Sequence, residues 1–126
     1  MNTIYGVKMF TEFGTDTLEL FDSHEKAYER FKSNVEAMRK EFCEFDSKNE
    51  DLRTANPFED YDNGSSVRWE YGADEDNADW YLFRYNELAA DDGPLAYVGL
   101  AAFELNPEED ITYEIKLNPL YGIFNY

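Results

Sequence analysis

The sequence predicts an α+β protein: an antiparallel β-sheet of about five to six strands with one long amphipathic helix packed on one face, in the order β-β-α-β-β-β-β. Three observations predict it. An apolar stripe at helical spacing runs from Ala27 to Phe45, period-two alternation stands before and after it, and two aromatic-rich runs, Trp80 to Tyr85 and Leu95 to Leu105, are apolar on both faces. The chain has 126 residues and no Gly-, Ser- and Pro-rich linker, so a single domain is expected over 1–126.

The first strand is read from Thr3 to Phe13, where Tyr5, Val7, Met9 and Phe13 alternate with polar positions such as Lys8 and Glu12. Gly14-Thr15-Asp16 makes the turn, and Leu18 and Leu20 flank Glu19 in the returning strand. Asp22 or Ser23 offers an oxygen to the first helical amides, and Glu25, three residues after Asp22, completes a capping-box pattern. The helix is expected from about Ser23 to Phe45, with Ala27, Phe31, Val35, Met38, Phe42 and Phe45 on one stripe.

Between Asp46 and Ser66 the periodicity fails, and Asn56-Pro57 and Asp62-Asn63-Gly64 act as breakers. A long loop is expected there, with a short second helix near Ser47 to Thr54 and with Leu52, Phe58 and Tyr61 available to pin it. Val67, Trp69 and Tyr71 alternate in the next strand, which an acidic turn joins to Trp80–Tyr85. Leu95–Leu105 and Ile111–Leu117 complete the set. The runs that are apolar on both faces belong in the middle of the sheet and the amphipathic ones nearer its edges. One helix covers one face only. The other needs the 46–66 loop, the tail Leu120, Tyr121, Ile123 and Phe124, or another chain.

With 43% hydrophobic residues, ten Phe, ten Tyr and two Trp, the chain holds enough apolar material to bury a core despite its charge. The opening MNTIYGVKMF has neither a basic leader nor an apolar run, and no stretch approaches the ~18 apolar residues of a membrane span, so a cytoplasmic protein that meets no membrane is expected. A single cysteine, Cys43, excludes an internal disulfide and a cysteine-based zinc site.

The formal charge is −17, unevenly spread. Residues 1–53 carry 12 acids and 8 bases, whereas 54–126 carry 16 acids and only Arg68, Arg84 and Lys116. Such a field repels phosphate backbones and attracts basic partners, so direct nucleic-acid binding is not expected. The acids gather in the predicted loops: residues 44–62, 74–79, 87–92 and 108–110.

Few residues offer catalytic chemistry. His24 is the sole histidine, falls in the first helical turn and reads as a structural residue, and Cys43 has no CxxC partner. Asp60-Tyr61-Asp62-Asn63-Gly64 has the acid spacing of a calcium loop. Its glycine is fifth rather than sixth, and Tyr71 stands where the twelfth-position glutamate belongs. Glu114-Ile115-Lys116 matches only the ExK half of a nuclease site. No phosphate-binding glycine loop is present, so no cofactor, metal or enzymatic activity is expected.

In size and charge the chain resembles phage and mobile-element proteins that inhibit CRISPR or restriction enzymes by mimicking DNA. That resemblance implies an acidic inhibitor occupying a Lys- and Arg-rich surface of a basic protein, a nucleic-acid-binding protein or nuclease. The contacting acids would be Asp74, Glu75, Asp76, Asp79, Asp91, Asp92, Glu108, Glu109 and Asp110. The alternative is an immunity protein against one basic nuclease toxin, anchored by Phe58, Tyr61 or Tyr121 inside a charged rim. A small metal-dependent enzyme is the third reading. Either a monomer or a homodimer fits.

Overall fold

The computed structural model describes residues 2–43, 54–62, 64, 67–84 and 94–105. It contains β1 (Asn2–Thr11), β2 (Asp16–Phe21), α1 (His24–Cys43), β3 (Tyr61–Asp62), β4 (Val67–Ala73), β5 (Ala78–Arg84) and β6 (Ala96–Leu105). The six strands form one antiparallel sheet in the order β2-β1-β6-β5-β4-β3, and α1 lies across one face. The α+β architecture and the element order are those read from the sequence. The two runs apolar on both faces, β5 and β6, are the two central strands, because only there do both faces lose water.

The β1–β2 hairpin closes earlier than the alternation suggests. Thr11 donates its amide to the Thr15 carbonyl (2.9 Å), its hydroxyl accepts the Thr15 amide (3.3 Å), and Gly14 takes φ 104°. Phe13 therefore sits in the turn rather than in the strand, where it stacks on Phe42 at 5.9 Å and stays 68% exposed. At the helix start the structure chooses between the two candidate caps. The Ser23 hydroxyl accepts the Lys26 amide (3.3 Å), while the Asp22 carboxylate pairs with the Lys26 ammonium (3.0 Å). With Ser23 as the cap, the Asp22–Glu25 capping box is out of register by one residue.

Ala27, Phe31, Val35 and Met38 are buried, facing Val7 of β1, Trp69 of β4, Trp80 and Leu82 of β5, and Val98 and Leu100 of β6. Burying each of the larger side chains stabilises the fold by about 1.5–3 kcal/mol. Aromatic contacts run laterally through this layer: Trp69 lies 6.4 Å from Trp80, Tyr61 stacks on Trp69 at 4.4 Å, and Phe31 meets Tyr71 at 6.2 Å.

The segment read as a loop contributes more order than its composition suggests. Tyr61 and Asp62 pair with Trp69 and Arg68, making a sixth strand there. Ala55, Phe58 and Tyr61 pack against the helix-side core, and the Ala55 carbonyl accepts from Arg39 (2.7 Å). The described part of this segment thus does not cover the opposite face of the sheet. On that face Tyr97 and Ala101 are buried, with Phe10, Leu18 and Tyr81 packed beside them. The predicted strand 111–117, the tail residues Leu120, Tyr121, Ile123 and Phe124, Phe45, and the second helix apart from Thr54 lie outside the described residues.

Candidate partner-binding surface

The β4–β5 turn is the acidic feature that the described residues define best. From Glu70 to Phe83 the chain carries five acids and no lysine or arginine. Its four predicted contact acids fall into two kinds. Asp74 closes the turn from within: its carboxylate accepts the amides of Asp76 (3.0 Å) and Asn77 (2.9 Å), and its own amide donates to the Asn77 carbonyl (2.9 Å). Those backbone donors stabilise the anion and hold the Asp74 carboxyl below its ordinary range.

Asp79 is also engaged. It lies half-buried on the sheet face opposite the helix and accepts the Tyr97 hydroxyl at 2.5 Å. Burial raises its pKa, the Tyr97 hydrogen bond works the other way, and the charge of Asp74 adds to the rise. Glu75 and Asp76 are exposed at the apex. The sequence presents these four acids alike, yet Asp74 and Asp79 build the hairpin while Glu75 and Asp76 are displayed by it.

The tip is held to the sheet rather than hanging from it. Asn77 caps it from the β6 side, its side-chain carbonyl accepting the Ala102 amide (3.1 Å). A shallow cavity beside this contact is lined by Thr3, Tyr5, Asp76, Ala102, Phe103 and Glu104, so the carboxylates of Asp76 and Glu104 share one concave surface. β6 has no basic residue, and among residues 2–11 only Lys8 is basic, where it pairs with Asp16 at 3.6 Å.

Elsewhere the described cations are largely neutralised in place. Lys26 pairs with Asp22, Arg30 with Glu19, Lys32 with Glu29, Arg39 with Glu36 and Arg68 with Glu70. The helix-bearing half is thus laced with ion pairs, while Glu75, Asp76 and Glu104 gather at one end of the sheet.

Phe58 and Tyr61, predicted anchors, are spent largely on internal packing. Phe58 meets Tyr71 edge-on at 5.7 Å and Tyr61 stacks on Trp69. The near-calcium loop is likewise used for backbone closure: Asp60 accepts the Tyr71 amide (2.8 Å) and Asp62 the Gly64 amide (2.8 Å). Asp91, Asp92, Glu108, Glu109, Asp110 and Tyr121 lie outside the described residues, as do Glu114 and Lys116. His24 stands between Tyr5 (5.6 Å) and Tyr28 (5.8 Å) in an aromatic row. No group of three metal-ligating side chains converges among the described residues, and no described helix is long and apolar enough to cross a membrane. Comparison of the chain with known protein families, curated proteins and solved structures finds no match.

Proposed function

We propose that this chain is an acidic binding protein that occupies the basic, nucleic-acid-binding surface of a partner protein, in the manner of a DNA mimic. The observation that carries the proposal is the separation of charge. Five acids and no base lie between Glu70 and Phe83, on a hairpin whose tip is fixed by four hydrogen bonds through Asp74 and Asn77; of these acids Glu70 pairs with Arg68 of the same hairpin, and five cations elsewhere, Lys8, Lys26, Arg30, Lys32 and Arg39, are already paired. A rigid anionic edge loses little conformational entropy when it meets a cationic groove, and it speeds encounter through long-range attraction. At this end of the sheet Glu75, Asp76 and Glu104 offer carboxylates outward. Asp74 and Asp79 set the shape that presents them.

The experiment is affinity capture from the native host with the wild-type chain as bait, repeated in the presence of duplex DNA. A retained basic protein that DNA displaces supports the reading. Retention of a protein that DNA leaves in place favours an immunity-type interaction instead, and retention of nothing basic discards the proposal.

A further inference from the structure

The backbone pairing of β5 with β6 ends at Ala78↔Leu100, where the β4–β5 turn begins, while β6 runs on to Leu105 against Asn2 of β1. The Ala102 amide lies beyond that last pair. It donates to the Asn77 side-chain carbonyl (3.1 Å), so a side chain carries the ladder past the point where the backbone of β5 leaves it. Asn77 also closes the turn itself. Its backbone carbonyl accepts the Asp74 amide (2.9 Å), and its own amide donates to the Asp74 carboxylate (2.9 Å). One residue thus holds the two ends of the turn and ties the turn to β6. Among the described residues no other hydrogen bond joins residues 74–77 to that strand.

This tie fixes the spacing of two acids that lie far apart in the sequence. Asp76 immediately precedes Asn77, Glu104 stands two residues beyond Ala102, and both line the cavity that has Ala102 among its walls. No base lines that cavity, and among the described residues neither carboxylate is engaged in a hydrogen bond or an ion pair. Both acids are exposed, so a turn free to swing would let each act alone. We infer that Asn77 is a positioning residue of the acidic surface: it holds Asp76 beside Glu104 so that the two carboxylates grip one cationic side chain of the basic partner together. The inference rests on the acidic-binding reading above and adds to it the residue that makes a pair of two separate charges. Carboxylates already fixed side by side lose less freedom on meeting a cation than two that must first be brought together. Aspartate at this position can still accept the Ala102 amide, whereas alanine cannot.

The probe is hexa-arginine at low salt, and the measurement is a double-mutant cycle of Asp76→Asn and Glu104→Gln, run in the wild type and again in Asn77→Ala. In the wild type each single variant should weaken the probe about fivefold, and the double variant little more than either, because the first loss already breaks the shared grip. In Asn77→Ala the two losses should multiply, as they do for independent sites. Asn77→Asp should keep the wild-type coupling, and amide hydrogen exchange at Ala102 should quicken in Asn77→Ala but not in Asn77→Asp. A purely structural role for Asn77 would lower the urea midpoint of Asn77→Ala and leave the coupling unchanged, and that result overturns the inference. Multiplying losses in the wild type overturn it too, while leaving an acidic surface on which Asp76 and Glu104 act separately. If neither single variant weakens the probe, the acidic-binding reading falls at this end of the sheet and the inference falls with it.

Discussion

Tyr97 lies along the sheet over Gly99, its hydroxyl reaching Asp79 at 2.5 Å across the β5–β6 pairing. A Cβ built on Gly99 comes within 2.6 Å of the Tyr97 Cζ, so glycine is required there for contact rather than for backbone conformation. Gly99→Ala is therefore expected to displace the ring, break the Asp79 hydrogen bond and destabilise the fold by about 1–3 kcal/mol. A fall in the urea midpoint checks this; an unchanged midpoint means that the ring has room to move.

The same pair has a pH signature. Burial raises the Asp79 pKa in the folded state above its ordinary 3.8, so the unfolded chain releases that proton more readily. Its contribution is then most favourable below the unfolded value and is lost as pH rises through the raised folded value. Relative to Asp79→Asn, which cannot ionise, the wild type should lose stability as pH climbs out of the carboxylate range. Paired denaturant titrations at stepped pH values measure the difference, and the opposite slope contradicts the assignment.

At the alkaline end the hydroxyls of Tyr28 and Tyr71 share a hydrogen bond of 2.8 Å. Burial first, then that bond and the proximity of Tyr28, push the Tyr71 pKa up to about 12 from 10.0. The unfolded chain ionises first, so stability should decline as pH rises from 10 toward 12. Tyr71→Phe should flatten that decline, and Tyr28→Phe should lower the midpoint at which Tyr71 ionises in an ultraviolet titration. A tyrosinate spectrum with no late-titrating component rules out the pairing.

Phe31, on the sheet-facing side of α1, is fully buried and meets Tyr28 at 5.8 Å and Tyr71 at 6.2 Å. Phe31→Ala should cost about 3–5 kcal/mol, the penalty of a large core cavity. A loss below about 1 kcal/mol in equilibrium unfolding contradicts the position of the helix.

The stripe Ala27, Phe31, Val35, Met38 was legible because a helix repeats its buried side every three to four residues and little else produces that spacing. The central place of β5 and β6 was legible for a related reason: only a strand covered on both sides tolerates apolar residues on both. The strand at Tyr61–Asp62 was not legible, since two residues carry no period and its pairing depends on Trp69 and Arg68 in another element. Nor do the residues themselves distinguish Asp74 and Asp79 from Glu75 and Asp76. A carboxylate that closes a turn and one that faces solvent have the same local sequence signature, and their difference rests on partners at Asn77 and Tyr97.

The central claim is that the displayed acids of the β4–β5 tip, not net charge alone, engage a basic protein. Its most direct test is the affinity, at low and physiological salt, of the basic protein retained by the wild type for two variants that each remove two charges. Glu75→Gln with Asp76→Asn alters the tip, and Glu12→Gln with Glu41→Gln alters exposed acids in the first 53 residues. Both pairs are exposed, so both variants should fold with stabilities within about 0.5 kcal/mol per site of the wild type. The tip variant should bind about tenfold more weakly, mainly through slower association, with a shallower salt dependence, while the second variant stays within about twofold. Equal losses from the two variants, or no loss from the tip, would contradict the account.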